Sequence, residues 1–137
     1  APIDVLLFEG WCMAATPQSA AELTAPVNRL EAEEDPDGRW RALVNAALEG
    51  PYRVLFGGLD YLVMLAAPGF EAVLGWRQLQ EAKLRAHTGG GMSDTEVARF
   101  IMHYERLTRH ALAVLPGRAD AVATLDSDHA VTRLSLR

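Results

Sequence analysis

Apolar positions fall into distinct patterns along the chain, and each pattern predicts a different element. Residues 3–8 (IDVLLF) form an apolar run interrupted only by Asp4, set between Pro2 and Gly10. Because the run does not alternate, it reads as a strand covered on both faces, as in a parallel sheet. Residues 59–66 (LDYLVMLA) form a second such run, ended by Pro68-Gly69. Residues 121–125 and 131–134 alternate instead. The turn chemistry of Asp126-Ser127-Asp128-His129 between them predicts a terminal strand or hairpin.

Helical spacing fills the intervals. Asp35-Pro36 offers an N-cap followed by proline at the first helical position. Trp40, Leu43, Val44, Ala47 and Leu48 then repeat at helical intervals until Gly50-Pro51. The spacing predicts a longer helix over residues 70–86, ended by the flexible break Thr88-Gly89-Gly90-Gly91. Ser93 and Glu96 form a capping box, with Met92 and Val97 as its hydrophobic staple. That helix is expected to reach about Leu115, where Pro116-Gly117 closes it. The order strand, helix, strand, long helices, strand predicts one α/β layered domain with a mainly parallel sheet.

Composition narrows the classes of function. With 137 residues, half of them hydrophobic, the chain is long enough for one core. A net charge of −5 argues against coating nucleic acid or lying on anionic lipid. The single cysteine, Cys12, excludes an internal disulfide framework and suits a reducing cytoplasm. No apolar run reaches membrane-spanning length and no signal peptide opens the chain, so a soluble cytoplasmic domain is expected. The chain starts with Ala1 rather than Met, which suggests a processed N-terminus or a piece of a longer polypeptide.

Two places are candidates for chemistry. Glu9 stands at the C-terminal end of the first predicted strand, followed by the Gly10 turn. Ligands of open α/β sheets sit outside the carboxyl ends of strands, where a carboxylate can hold a magnesium-bound water or polarise a nucleophile. The plainer account is a solvated carboxylate at a strand end. The second place is the face shared by Arg77, Gln80, Glu81, Leu84 and Arg85. Read alone, it is a solvated face whose Arg77–Glu81 and Glu81–Arg85 pairs contribute a few tenths of a kcal/mol each. The functional alternative is a phosphate grip on a lid, moving on the glycines behind it.

Other features carry less. The triple glycine is not a phosphate loop, and no G-x-x-x-x-G-K-[ST] occurs in the chain. The acidic stretch from Glu31 to Asp37 lacks calcium-loop spacing and reads as a solvated, helix-capping segment. His87, His103, His110 and His129 have no metal-ligand spacing, and Cys12, Trp11, Trp40 and Trp76 read as packing residues.

Taken together, the segments resemble the D-glycerate 3-kinase family. The resemblance rests on Phe8-Glu9-Gly10-Trp11, on Asn28 and Glu31 with Glu34 through Arg41, and on Val44-Asn45. It continues through Trp76-Arg77, Gln80-Glu81 and Leu84-Arg85 to Gly91-Met92-Ser93-Asp94, and closes with Asp120, Asp126 and His129. That family belongs with the P-loop kinases related to uridine kinase, phosphoribulokinase and bacterial pantothenate kinase.

The resemblance implies a P-loop NTPase-type three-layer fold and transfer of the ATP γ-phosphoryl group, with Mg2+, to a hydroxyl of D-glycerate or a similar hydroxy acid. On that reading Glu9 is the carboxylate near the metal and acceptor. Arg77, Gln80 and Arg85 belong to the lid helix over residues 70–86, which closes over the ATP phosphates and binds them, and Asn28, Glu31, Trp40 and Arg41 help to form the acceptor side.

Family members are longer, and their N-terminal half carries the phosphate loop. The resemblance therefore makes residues 1–137 the C-terminal portion of one kinase domain, with the N-terminal portion missing. Such a chain is expected to be inactive alone, and to self-associate or pair with the missing half through its unpaired sheet edge. A nucleoside or pantothenate acceptor, or a non-catalytic binding or regulatory domain, are the alternatives.

Overall fold

The computed structural model describes residues 2–137. Four short helices come first: α1 (Ala20–Thr24), α2 (Arg29–Glu34), α3 (Arg39–Glu49) and α4 (Pro51–Phe56). Strand β1 (Val63–Ala66) leads through α5 (Phe70–Thr88) and α6 (Asp94–Val114) to β2 (Ala121–Leu125) and β3 (Val131–Leu136). The three strands stand in the order β1-β2-β3.

The protein is α/β, but the sheet is small and mixed rather than mainly parallel. β1 pairs parallel to β2, with Val63 opposite Ala121, and β2 pairs antiparallel to β3. The expected hairpin turn is present: the Asp126 carboxylate accepts from the backbone N–H of Asp128 and Ala130, both at 2.9 Å. Asp120 lengthens the parallel pairing, because its carboxylate accepts from Leu62 N at 2.8 Å while its own N–H donates to Leu62 O.

Residues 3–8 do not form the expected strand. They lie exposed, Leu7 at 90%, and no described strand pairs with them. Strand composition is local, but a ladder needs a neighbour to accept its N–H groups. The second expected strand is shortened to Val63–Ala66 and covered on one face only. Met64 and Ala66 are buried, whereas Val63 and Leu65 are 57% and 68% exposed.

One apolar cluster lies under the sheet, where Ala14, Met64, Ala66, Leu115 and Ala119 meet. A second joins α5 to α6 through Phe70, Val97 and Ile101, with Met92 against it. Val97 is fully buried, which contributes about 2 kcal/mol. The capping box that starts α6 is present on both sides: Ser93 Oγ accepts from Glu96 N, and Glu96 accepts from Ser93 N at 2.7 Å.

The start of α3 departs from expectation. The helix begins at Arg39 after Gly38, not at Pro36. Asp35 ends α2 and still caps α3 across the turn, accepting from Trp40 N at 2.8 Å and Arg41 N at 3.1 Å. Gly38 permits this turn with φ 73°, and a Cβ there would lie 3.1 Å from the Arg41 guanidinium. Gly50 does end α3, but Pro51 opens α4 at once.

Candidate functional site

Helices α2, α3 and α6 contribute walls to a cavity of about 400 Å³. Two largely buried ion pairs frame it. Arg41 lies 3.1 Å from the Asp35 carboxylate and also donates to the carbonyls of Leu23, Thr24 and Asp35. Arg106, from α6, reaches Glu31 through Nε at 2.8 Å and Nη2 at 2.6 Å. Its other bonds go to Gln18 Oε1 and to the carbonyls of Glu22 and Ala25. These occupy all the donors of a guanidinium, so Arg106 has none left for a ligand.

Both carboxylates are held ionised. Burial pushes the Asp35 carboxyl up, but the N–H groups of Trp40 and Arg41 and the Arg41 charge outweigh it and set it below its usual pKa. Burial raises Glu31 as well, and the bonds from Arg106 and Val27 N bring it below the ordinary value.

Between the pairs the lining is mixed. Leu30, Val44 and Met102 supply apolar surface, and Gln18 and Asn45 supply amides. The Asn45 amide is locked to the Gln18 backbone: Gln18 N donates to Asn45 Oδ1 at 2.7 Å, and Asn45 Nδ2 donates to Gln18 O at 3.1 Å. Each arginine is matched by a carboxylate, so the cavity offers shape and hydrogen bonds more than free positive charge.

The structure brings together some of the expected residues. Glu31, Trp40 and Arg41 all line this cavity. Asn28 does not; its Oδ1 accepts from Glu31 N to cap α2, and its Nδ2 donates to Met102 O and Glu105 of α6. The acidic stretch is therefore not simply solvated, because Glu31 and Asp35 face internal arginines.

Arg77 and Gln80 line a separate groove of about 420 Å³ beside α5. Arg77 pairs with Glu81 at 2.5 Å, but the expected Glu81–Arg85 pair does not form. Glu81 instead accepts from Met92 N at 2.9 Å. Arg85 donates to Met92 O and pairs with Asp94 at 3.0 Å. The break after α5 is thus strapped at both sides, and at Gly91 (φ 132°) a Cβ would lie 2.9 Å from Glu81 Oε2.

Glu9 stands apart. It is exposed, lines neither the cavity nor the groove, and has no hydrogen-bond partner among the described residues. Among the described residues, no cluster of three or more His, Cys, Asp or Glu side chains is placed to hold a metal ion, and no helix is long and apolar enough to cross a membrane.

Sequence reasoning missed Arg106 and Gln18, and named Asn45 only within the resemblance, without a role. For Arg106 a signal existed: Val97, Ile101 and Glu105 recur four residues apart, so Arg106 adjoins the buried stripe of α6. A charged residue beside that stripe needs an internal partner. The contact between Asn45 and Gln18, 27 residues apart, left no local trace.

No family model matches the chain. It is 32% identical over 105 residues to an uncharacterized kinase, mug58, of Schizosaccharomyces pombe, covering 72% of this chain and 35% of that protein. It is 31% identical over 103 residues to the chloroplastic D-glycerate 3-kinase of Arabidopsis thaliana, covering 75% of this chain and 20% of that protein. Among solved structures, D-glycerate 3-kinase from Cryptococcus neoformans var. grubii serotype A has the same fold over the whole chain, with a TM-score of 0.73 at 22% identity. The match covers 51% of that structure. The chain thus resembles D-glycerate 3-kinase and kinase-like proteins over most of its length, while spanning only part of each.

Proposed function

We propose that residues 1–137 are the C-terminal portion of an ATP-dependent kinase that phosphorylates a hydroxyl of D-glycerate or a similar small hydroxy acid. The supporting observation is the fold correspondence, which takes in all of this chain and half of a D-glycerate 3-kinase. Identity above 30% to proteins described as kinases supports the same reading.

The residues divide by task. Glu31, Trp40 and Arg41 shape the acceptor side, with Asn28 fixing the start of α2 behind them. Arg77 and Gln80 engage phosphate oxygens, and a buried Arg77 Nε without an acceptor fits that role. Arg85 keeps the loop after α5 in place through Met92 and Asp94. Glu9, an exposed carboxylate without a hydrogen-bond partner among the described residues, would be one carboxylate donor to magnesium. Bound magnesium supplies charge neutralisation on the transferring phosphoryl group. The chain contains no G-x-x-x-x-G-K-[ST], so the phosphate loop has to come from other polypeptide and this chain alone should not turn over.

Radiolabel transfer from γ-labelled ATP tests the reading, using the product of the complete reading frame and a panel of hydroxy acids, nucleosides and pantothenate. Labelled phosphoglycerate supports it. A labelled nucleoside or pantothenate would reassign the acceptor, and no labelled product would leave a non-catalytic, kinase-derived binding domain.

A further inference from the structure

One face of α6 carries Phe100, Tyr104 and Thr108 at four-residue intervals, so these side chains form a row beside the buried stripe of Val97, Ile101 and Glu105. At helical rise the row spans about 12 Å. Both of its ends are occupied. At the Thr108 end, Trp11 Nε1 donates to Thr108 Oγ1 at 3.0 Å, and the Trp11 indole meets the Tyr104 ring edge-on, with centroids 4.8 Å apart. The Tyr104 ring lies 5.0 Å from that of Phe100. At the other end the Arg77 guanidinium sits over the Phe100 ring, 5.5 Å from its centroid.

The row joins two segments that are far apart in sequence. Trp11 follows Glu9 by two residues and makes the first side-chain hydrogen bond among the described residues. Residues 2–10 ahead of it are exposed, so Trp11 is where the Glu9 segment is fastened to α6. Arg77 belongs to α5, and its guanidinium is held by Gln80 Oε1 at 2.6 Å, by Glu81 at 2.5 Å and by the Phe100 ring. Of these three contacts, only Phe100 belongs to another element.

These rings contribute little to the core. Trp11 is 51% exposed and Phe100 36%, and none of the three rings belongs to either buried apolar cluster. What they supply is stiffness. An aromatic side chain has only two torsions to fix, and edge-on or tilted ring contacts set orientation as well as distance. The cation over the Phe100 face adds a directional attraction at the Arg77 end.

The geometry points to Phe100 and Tyr104 as positioning residues, which hold Arg77 of α5 and the Glu9–Trp11 segment at a fixed separation. Neither ring touches the reacting atoms. Their task is to keep the cation that grips phosphate and the carboxylate beside the acceptor aimed at one transferring group. This rests on the kinase reading for the tasks of Glu9 and Arg77. A misplacement of about 1 Å at a reacting centre can cost about a hundredfold in rate, so a stiff row matters more there than its burial suggests.

Two measurements on the product of the complete reading frame test the row. The first needs no turnover: nitrogen-15 NMR follows the Trp11 indole N–H. Arg77→Lys should move that signal in the parent and leave it in place in the Tyr104→Leu background, where the row is cut. A response that persists with Tyr104→Leu, or is absent from the parent, would overturn the coupling. The second is steady-state kinetics. Phe100→Leu should raise the KM for ATP about two- to fivefold through the lost ring face, and Phe100→Tyr should restore it. Tyr104→Leu should lower kcat about tenfold or more, and Tyr104→Phe, which keeps the ring, should recover most of the loss. A lowered thermal midpoint with kcat and KM unchanged would make the row structural only. Equal losses in Tyr104→Phe and Tyr104→Leu would assign the effect to the hydroxyl and overturn positioning by the ring. A parent that labels no acceptor would remove the kinase reading instead, with the indole response still deciding whether the row couples its ends.

Discussion

Arg106 and Glu31 meet side-on, guanidinium to carboxylate, through two bonds of 2.8 and 2.6 Å in a largely buried setting. The remaining Arg106 donors go to Gln18, Glu22 and Ala25, so one side chain of α6 fastens the whole segment from Gln18 to Glu31. That segment carries part of the cavity wall.

Removing one partner should therefore cost more than an ordinary surface pair. Arg106→Ala leaves Glu31 buried without its counter-charge and several carbonyls without donors. We expect a loss of about 3 kcal/mol in urea unfolding. Glu31→Gln should cost less, because its amide still accepts one bond. If Arg106→Ala stays within about 0.5 kcal/mol of the parent, in the range of neutral surface changes, the fastening role is wrong.

Acid should weaken the same region. Asp35 and Glu31 have native pKa values below their ordinary ones, so both bind fewer protons folded than unfolded in the acid range. Their contribution to stability is fully present above the unfolded carboxylate values, about pH 4, and is lost as pH falls through the lowered native values. Asp35→Asn should flatten that limb of the pH–stability curve. An unchanged acid limb in this variant would assign the effect to other carboxylates, such as Glu71 and Glu96, which are also lowered.

The long helix α6, its capping box and the terminal hairpin were legible in the sequence because their signals are local. Ser93 and Glu96 bond each other, and the Asp126 carboxylate bonds its own turn. Residues 3–8 misled because an apolar run records burial without naming what covers it. Asp35 misled differently: its position before proline looks like an N-cap, yet its carboxylate reaches over the turn to Trp40 and Arg41. Of the candidate site, Glu31, Trp40 and Arg41 were found by resemblance, whereas Arg106 and Gln18 depend on partners more than 25 residues away.

The uncovered apolar surface predicts behaviour in solution. Residues 3–8 and the outer face of β1 expose Leu6, Leu7, Val63 and Leu65, while the free edge of β1 lacks a partner among the described strands. Concentration-dependent association in sedimentation velocity is expected. Leu7→Asp with Leu6→Ser should reduce it without lowering the thermal midpoint, since neither side chain is packed. A parent chain that sediments as a single monomer across the range would contradict this.

Glu9 and Arg77 can be separated by kinetics in the protein from the complete reading frame. If Glu9 acts beside the transferring group, its charge matters more in the transition state than in the bound ground state. Glu9→Gln should then lower kcat by about a hundred- to a thousandfold with little change in the KM for ATP. If Arg77 instead grips the nucleotide in both states, Arg77→Ala should chiefly raise the KM for ATP. Because Arg77 also pairs with the buried Glu81, a control is needed: Arg77→Lys retains a charge near Glu81 but loses the planar fork. A raised KM in both variants, with unchanged thermal midpoint in Arg77→Lys, locates the effect at the nucleotide. Near-normal turnover in Glu9→Gln would place that carboxylate away from the chemistry, in keeping with its exposed position.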